Sequence, residues 1–232
     1  MKIKGVIFDF NGVIVDDYPI QKKVWNNISL KLRAKEVSDE EMIQKVRGVQ
    51  TKNVIRWMAK SKLTEEEIEE IAKEKEDCIR NLYISSPLFC LNKGLDVFLD
   101  DLKKNNIPRT IGTIATSSKL EGVLFSFNKL GLAKWFDIKQ IVYNDGSYDS
   151  KPAPDAYLLA AKKINLDLKL CVVFEDAVSG ITSAYAAGVR NIIAVGNDER
   201  LIELKKLPGV IKSIHNFSEV KVNEIFNDTH TG

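Results

Sequence analysis

The sequence predicts an α/β fold: a parallel sheet with helices on both faces and one all-helical insertion after the first strand. Three observations predict it. An apolar run at residues 3–9 stops at Asp9 and the turn-forming pair Asn11-Gly12. From about Asp17 to Pro87 the pattern is helical, with no convincing strand inside it. After Pro87, strand-like and helix-like runs alternate, the pattern of β and α units wound into a parallel sheet.

The elements follow in chain order. Ile3-Lys-Gly-Val-Ile-Phe-Asp9 reads as a buried strand. In the helical stretch, Ser38-Asp-Glu-Glu41 and Thr64-Glu-Glu-Glu67 match the capping-box pattern, each ahead of an amphipathic run. Further strands are expected at Arg109–Ala115, Ile138–Tyr143, Leu170–Phe174, Asn191–Val195 and Val210–Ile214. Helices are expected between them at 94–105, 119–130, 154–164, 179–187 and 198–206. The implied organisation is a core domain of residues 1–16 and 89–232, with a helical insert of residues 17–88.

Composition narrows the function classes. A chain of 232 residues, 44% hydrophobic and 28% charged, can bury a large core and is not disordered. The net charge of +2, with basic and acidic residues interleaved, argues against nucleic acid as a partner. No apolar run approaches the ~18 residues of a membrane span, and the opening MKIKGV is not a secretory signal. Cys78, Cys90 and Cys171 form no CxxC pair and fit a reducing, cytoplasmic setting. The two histidines, His215 and His230, lie near the C-terminus, which disfavours a histidine base. A monomer or homodimer is expected.

Polar residues stop four of the expected strands or follow them closely: Asp9, Thr116, Lys151 and the pair Glu175-Asp176. One carboxylate after a strand is as readily a helix cap as a catalyst. The same feature at successive strand ends is different, because in a parallel sheet these ends open onto one crevice. The set suits phosphoryl transfer. Carboxylates hold Mg2+, which prefers hard oxygen ligands. A carboxylate can also attack phosphorus. A hydroxyl, helix-start N–H groups and a lysine can neutralise phosphoryl oxygens.

Four motifs carry these residues: Asp9-Phe-Asn11-Gly12, Thr116-Ser117-Ser118, Ser150-Lys-Pro-Ala-Pro-Asp155 and Glu175-Asp-Ala-Val-Ser-Gly180. In their order, and in the place of the insert, the sequence resembles the haloacid dehalogenase-like superfamily along essentially its whole length. It is most similar to the subfamily of β-phosphoglucomutases and phosphoglycolate-type phosphatases. The resemblance implies a Rossmann-like core with a four-helix-type cap that closes over the site and supplies specificity. It implies that Asp9 is the nucleophile, and that Thr116 and Lys151 bind the phosphoryl group with help from Ser117. Mg2+ would be held by Asp9, the main-chain carbonyl of Asn11 and Asp176, with Glu175 supporting it through water or as a further ligand.

The sequence departs from that subfamily in two places. The second aspartate, which acts as general acid and base, is replaced by Asn11 here. An amide has no titratable proton, and such help is worth ~10²–10⁴ in rate. On the first cap helix, Trp25 matches the subfamily's tryptophan, but Gln21, which the resemblance places among the substrate-binding residues, stands where its mutases carry histidine. Arg47 and Lys52, near Gly48-Val49, are candidates for a second phosphate. The expectation is a Mg2+-dependent phosphatase of a small phosphorylated metabolite. A sugar-phosphate mutase and a catalytically weak binding or regulatory protein stand beside it.

Overall fold

The computed structural model describes residues 2–47, 49–60, 62–113, 120–143 and 145–226. The chain divides into two compact units, one of Met1–Val15 with Leu91–Gly232 and one of Asp16–Cys90.

The first unit is built on a five-stranded sheet, parallel at every pairing. Its strands are β1 (Gly5–Asp9), β2 (Arg109–Thr113), β3 (Cys171–Glu175), β4 (Asn191–Val195) and β5 (Val210–Ile214), in the order β2-β1-β3-β4-β5. Every residue of β1 and β3 is buried, as their unbroken apolar runs require of central strands covered on both faces. Strand β5 lies at an edge and is exposed at Ile211 and Lys212.

Period-two alternation assigns the faces. Phe8 and Phe174 are register partners, and their rings stack at 5.3 Å between centroids. Phe98, Phe136 and Phe217 close around Phe8 on that face. Ile7 and Val173 belong to a different apolar cluster with Tyr157, Ile181 and Ala184. These last three lie on α7 (Asp155–Lys163) and α8 (Val178–Ala186). Helices α5 (Leu95–Lys104), α6 (Leu120–Lys129), α9 (Asp198–Leu204) and α10 (Val222–Phe226) complete the unit.

From β1 the chain passes to β2 on one side, then returns across to β3 on the other. The winding therefore reverses between β1 and β3, and ligand crevices open outside the strand ends at such a reversal.

One expected strand is corrected. Among the described residues Ile138–Tyr143 forms no strand of the sheet: Ile138–Gln140 is a 3-10 turn, and Tyr143 makes only an isolated bridge. Asp137 caps that turn by accepting the Lys139 N–H at 2.9 Å. The segment touches the sheet where Val142 N–H donates to the Ile111 carbonyl. Its apolar residues Ile141 and Val142 are buried as core filling, so hydrophobicity alone imitated a strand there.

The second unit is helical: α1 (Tyr18–Arg33), α2 (Asp39–Glu41) running into a π turn (Met42–Val46), α3 (Thr51–Ala59) and α4 (Glu65–Ser85). Both capping boxes form. Ser38 and Thr64 accept the N–H of Glu41 and Glu67, whose carboxylates return to the cap N–H groups. Arg33 binds Glu41 through two parallel hydrogen bonds of 2.9 and 2.7 Å and stacks over Trp57. No described helix is long and apolar enough to cross a membrane.

The first and last helices of this unit are joined through a buried carboxylate. Tyr83 of α4 donates its hydroxyl to Asp17 Oδ2, and the Gln21 amide of α1 donates to the same oxygen at 2.8 Å. Burial, reinforced by the Asp17 charge, pushes the Tyr83 pKa well above its ordinary value, so the hydroxyl keeps its proton to donate. Phe89 stacks on the Tyr83 ring at 4.1 Å. Tyr83→Phe keeps the stacking and removes one donor from the buried carboxylate. It is expected to destabilise the fold by about 2 kcal/mol in urea unfolding, the scale of a hydrogen bond to a charged acceptor. A loss below about 0.5 kcal/mol would show that the hydroxyl contributes no net stability.

Candidate active site

β1 runs out at Asp9, and β3 runs out one strand away at Glu175 and then Asp176. Because Phe8 pairs with Phe174, the next residues, Asp9 and Glu175, leave adjacent strands side by side. All three acids are buried, and each brings one oxygen within 4.8 Å of the others. Like charges this close are costly unless a cation stands among them.

Lys151 is one such cation. Its ammonium donates to Asp9 Oδ1 at 2.7 Å and to Glu175 Oε1. Burial disfavours the charged lysine, but the attraction of Asp9 and Glu175 outweighs it and raises the Lys151 pKa. Burial pushes the Asp9 pKa up to about 7; Lys151 opposes the rise, and Glu175 and Asp176 add to it.

Glu175 is saturated with donors. Oε1 accepts from Lys151 and from the Tyr157 hydroxyl at 2.9 Å, and Oε2 accepts the N–H groups of Asp176 at 2.7 Å and Ala177 at 2.9 Å. Four donors fill the four acceptor positions of a carboxylate. Asp176 has its own cation, since Arg200 donates to Oδ2 at 2.6 Å and to the Asp176 main-chain carbonyl.

Asn11 sits just past Asp9 in a tight loop. The Phe10 carbonyl accepts the N–H groups of Val13, Ile14 and Val15, and Gly12 N–H returns to the Val15 carbonyl. Gly12 has φ of 83°, a conformation that favours glycine. The loop thus fixes the backbone of residue 11 immediately after the carboxylate of residue 9.

The structure brings together Asp9, Lys151, Glu175 and Asp176 of the expected site. Thr116 and Ser117 lie outside the described residues. Gln21, Arg47 and Lys52 belong to the helical unit and have separate partners there. Gln21 binds Asp17 and Tyr83, Arg47 lies over the Tyr18 ring at 5.2 Å, and Lys52 pairs with Glu69 at 2.6 Å.

Sequence reasoning missed two participants in this cluster. Tyr157 follows the lysine motif by two residues, in the first turn of α7, but only the fold shows its hydroxyl reaching Glu175. Arg200 reads as one charge among several in Asn197-Asp-Glu-Arg200. Taken by itself, the helical unit also holds a buried lysine that the sequence does not single out: Lys75, with its ammonium 5.4 Å over the Trp25 ring, 3.0 Å from Glu76 and 3.5 Å from Thr51 Oγ1. Nothing in the charge-rich run around it distinguishes this lysine from its exposed neighbours.

This core and this acid–lysine cluster define a class of hydrolase, and the chain belongs to it: the sequence matches the haloacid dehalogenase-like hydrolases over residues 6–194. A solved haloacid dehalogenase hydrolase of family IA, variant 3, from Entamoeba histolytica is 34% identical, with a TM-score of 0.85, and the match covers 97% of this chain and 98% of that one. The fructose-1-phosphate phosphatase of Escherichia coli is 31% identical over 189 residues, 80% of this chain and 93% of that protein. The β-phosphoglucomutase of Bacillus subtilis is 27% identical over 192 residues, 81% of each chain.

Gly180 shows how tightly the cluster is enclosed. A Cβ there would lie 1.7 Å from Glu175 Oε1, an oxygen already held by Lys151 and Tyr157. Gly180→Ala must therefore displace a carboxylate that four donors hold. It is expected to cost about 3 kcal/mol or more, at the upper end of overpacking effects, in chemical denaturation. A near-neutral result would mean that Glu175 can turn aside freely.

Proposed function

We propose that the protein is a Mg2+-dependent phosphatase that hydrolyses a small phosphorylated carbohydrate through a phosphoryl group carried on Asp9. The observation that carries this reading is the junction at the β1 and β3 ends, where a buried aspartate touches a lysine and shares its surroundings with two further acids. The named relatives, a fructose-1-phosphate phosphatase and a β-phosphoglucomutase, support a sugar phosphate as the substrate class.

The donors are all oxygens, which suits a hard divalent cation. Asp9, Asp176 and the main-chain carbonyl of Asn11 would hold it. Glu175, with its acceptor positions filled, supports the site at one remove by fixing Lys151 and the Asp176 N–H. Bound there, Mg2+ would offset negative charge on the transferring phosphoryl oxygens.

The chain's own groups then divide the work. Asp9 attacks phosphorus, the sugar oxygen departs, and the phosphoryl group becomes an acyl phosphate on Asp9. Lys151 neutralises phosphoryl oxygen charge, and Thr116 and Ser117 are assigned the remaining contacts to that group. Water then attacks phosphorus and returns Asp9 to a carboxylate. Asn11 stands where an acid and base would serve both half-reactions, and its amide can hydrogen-bond to the leaving oxygen or the water without exchanging a proton. Both half-reactions are therefore slowed, the first most with poor leaving groups. The insert, Asp16–Cys90, is read as the cap that selects the substrate.

Asn11 also favours a second reading, a protein that binds phosphorylated carbohydrates with little turnover. One experiment separates the two: phosphate release from a panel of sugar phosphates and from p-nitrophenyl phosphate, with Mg2+ and with chelator. Under the phosphatase reading, release needs Mg2+, is lost in Asp9→Asn, and favours the activated ester. Asn11→Asp is expected to raise turnover ~10-fold or more, the lower side of general acid–base contributions. Intact-mass analysis should show a phosphoryl adduct in the wild-type protein. Saturable sugar-phosphate binding without release, in both the wild-type protein and the Asn11→Asp variant, would select the binding protein.

A further inference from the structure

Helix α9 contributes to none of the motifs that mark the site, yet it sends a buried cation into it. Arg200 is only 8% exposed. A buried guanidinium is tolerated where an opposite charge and hydrogen-bond acceptors meet it. One terminal nitrogen of Arg200 meets two acceptors on a single residue, the Oδ2 and the main-chain carbonyl of Asp176.

The delivery of that side chain is built into the strand–helix junction. β4 pairs with β3 through Ala194 and Glu175, which brings the end of β4 alongside the Glu175-Asp176 turn. The chain leaves β4 through Gly196, and Asn197 caps α9 by accepting the N–H of Arg200 at 3.2 Å. The residue that starts the helix therefore also fixes the backbone from which the guanidinium extends. A Cβ at Gly196 would come within 3.3 Å of the Arg200 Cβ, so the junction is closely fitted around this arginine.

We propose that Arg200 is a positioning residue for the metal ligand Asp176, which it holds in one carboxylate orientation so that a divalent cation meets a preorganised site. The proposal rests on the metal reading given above. Holding backbone and side chain of the same residue at once restricts both the turn and the carboxylate. The ordering is thus in place before the cation arrives. Partners that orient a ligating carboxylate in this way typically contribute about 10–100-fold to metal affinity.

The test is calorimetric titration of Mg2+ into the full-length wild-type protein, Arg200→Gln and Arg200→Lys, each prepared metal-free, with thermal unfolding to establish that each is folded. The Gln variant is expected to bind Mg2+ about 10–100-fold more weakly than wild type. The Lys variant should fall between them, because it keeps the charge on a shorter side chain that does not carry its nitrogen as far as the Arg200 Nη2 position. If the Gln variant does not fold, the Lys variant decides by the same measure, a weaker affinity than wild type. Unchanged affinity would reduce the contact to a structural ion pair and overturn the proposal. Tighter binding would also overturn it, by showing that Arg200 competes with the cation for Asp176. Absence of Mg2+ binding by wild type would remove the metal site itself, a failure visible before any variant is compared.

Discussion

The working end of the core depends on one ammonium held between two buried carboxylates. Lys151 sits against Asp9 and Glu175, whose side chains are 6% and 0% exposed. Removing such charges from water is expensive, and the cost is recovered only where geometry is good and the remaining acceptors are satisfied. Glu175 meets both conditions through its four donors. Deleting the lysine would leave two acids facing each other beside a third, and breaking a buried pair of this kind costs about 3–5 kcal/mol. The same lysine thus neutralises the buried acids and lies against the proposed nucleophile.

Sheet topology makes this arrangement possible. Neighbouring strands lie about 4.8 Å apart, so residues leaving adjacent strands in register are neighbours without further adjustment. Phe8 and Phe174 fix that register by stacking, and Asp9 and Glu175 follow them toward the other face. The apolar core therefore sets the spacing of the acids. Packing and chemistry share one set of strands, with aromatic rings on one side of a residue step and carboxylates on the other.

In the helical unit, polar groups serve a different end. Asp17 is buried where the unit begins, and its hydrogen bonds to Tyr83 and Gln21 join α1 to α4. An inserted unit leaves and rejoins its host at nearby points, so its first and last segments must be held together. Gln21, which the resemblance placed among the substrate-binding residues, is engaged in that task.

Local signals were enough to read much of this from the sequence. Strand runs, helix periodicity, the capping boxes at Ser38 and Thr64, and the helical stretch after β1 are each written within a few consecutive residues. Asp9, Glu175 and Asp176 were legible because parallel strands bring their ends together whatever the strand order, and Lys151 through its motif, Ser150-Lys-Pro-Ala-Pro-Asp155. The segment Ile138–Tyr143 was apolar enough for a strand, but the Asp137 cap starts it as a 3-10 turn, and Ile141 and Val142 are buried without forming a described strand. The partners of the acids were not legible at all. Tyr157 reaches Glu175 across 18 positions, and Arg200 reaches Asp176 across 24, in each case from a helix whose own pattern reports only its buried face. By itself the sequence determined the five strands of the sheet, most of the helices and which acids end the strands, because those features depend on near neighbours along the chain. Only the tertiary structure decided which cation meets which carboxylate, because that depends on the order in which the strands pair and on where each helix is laid across them.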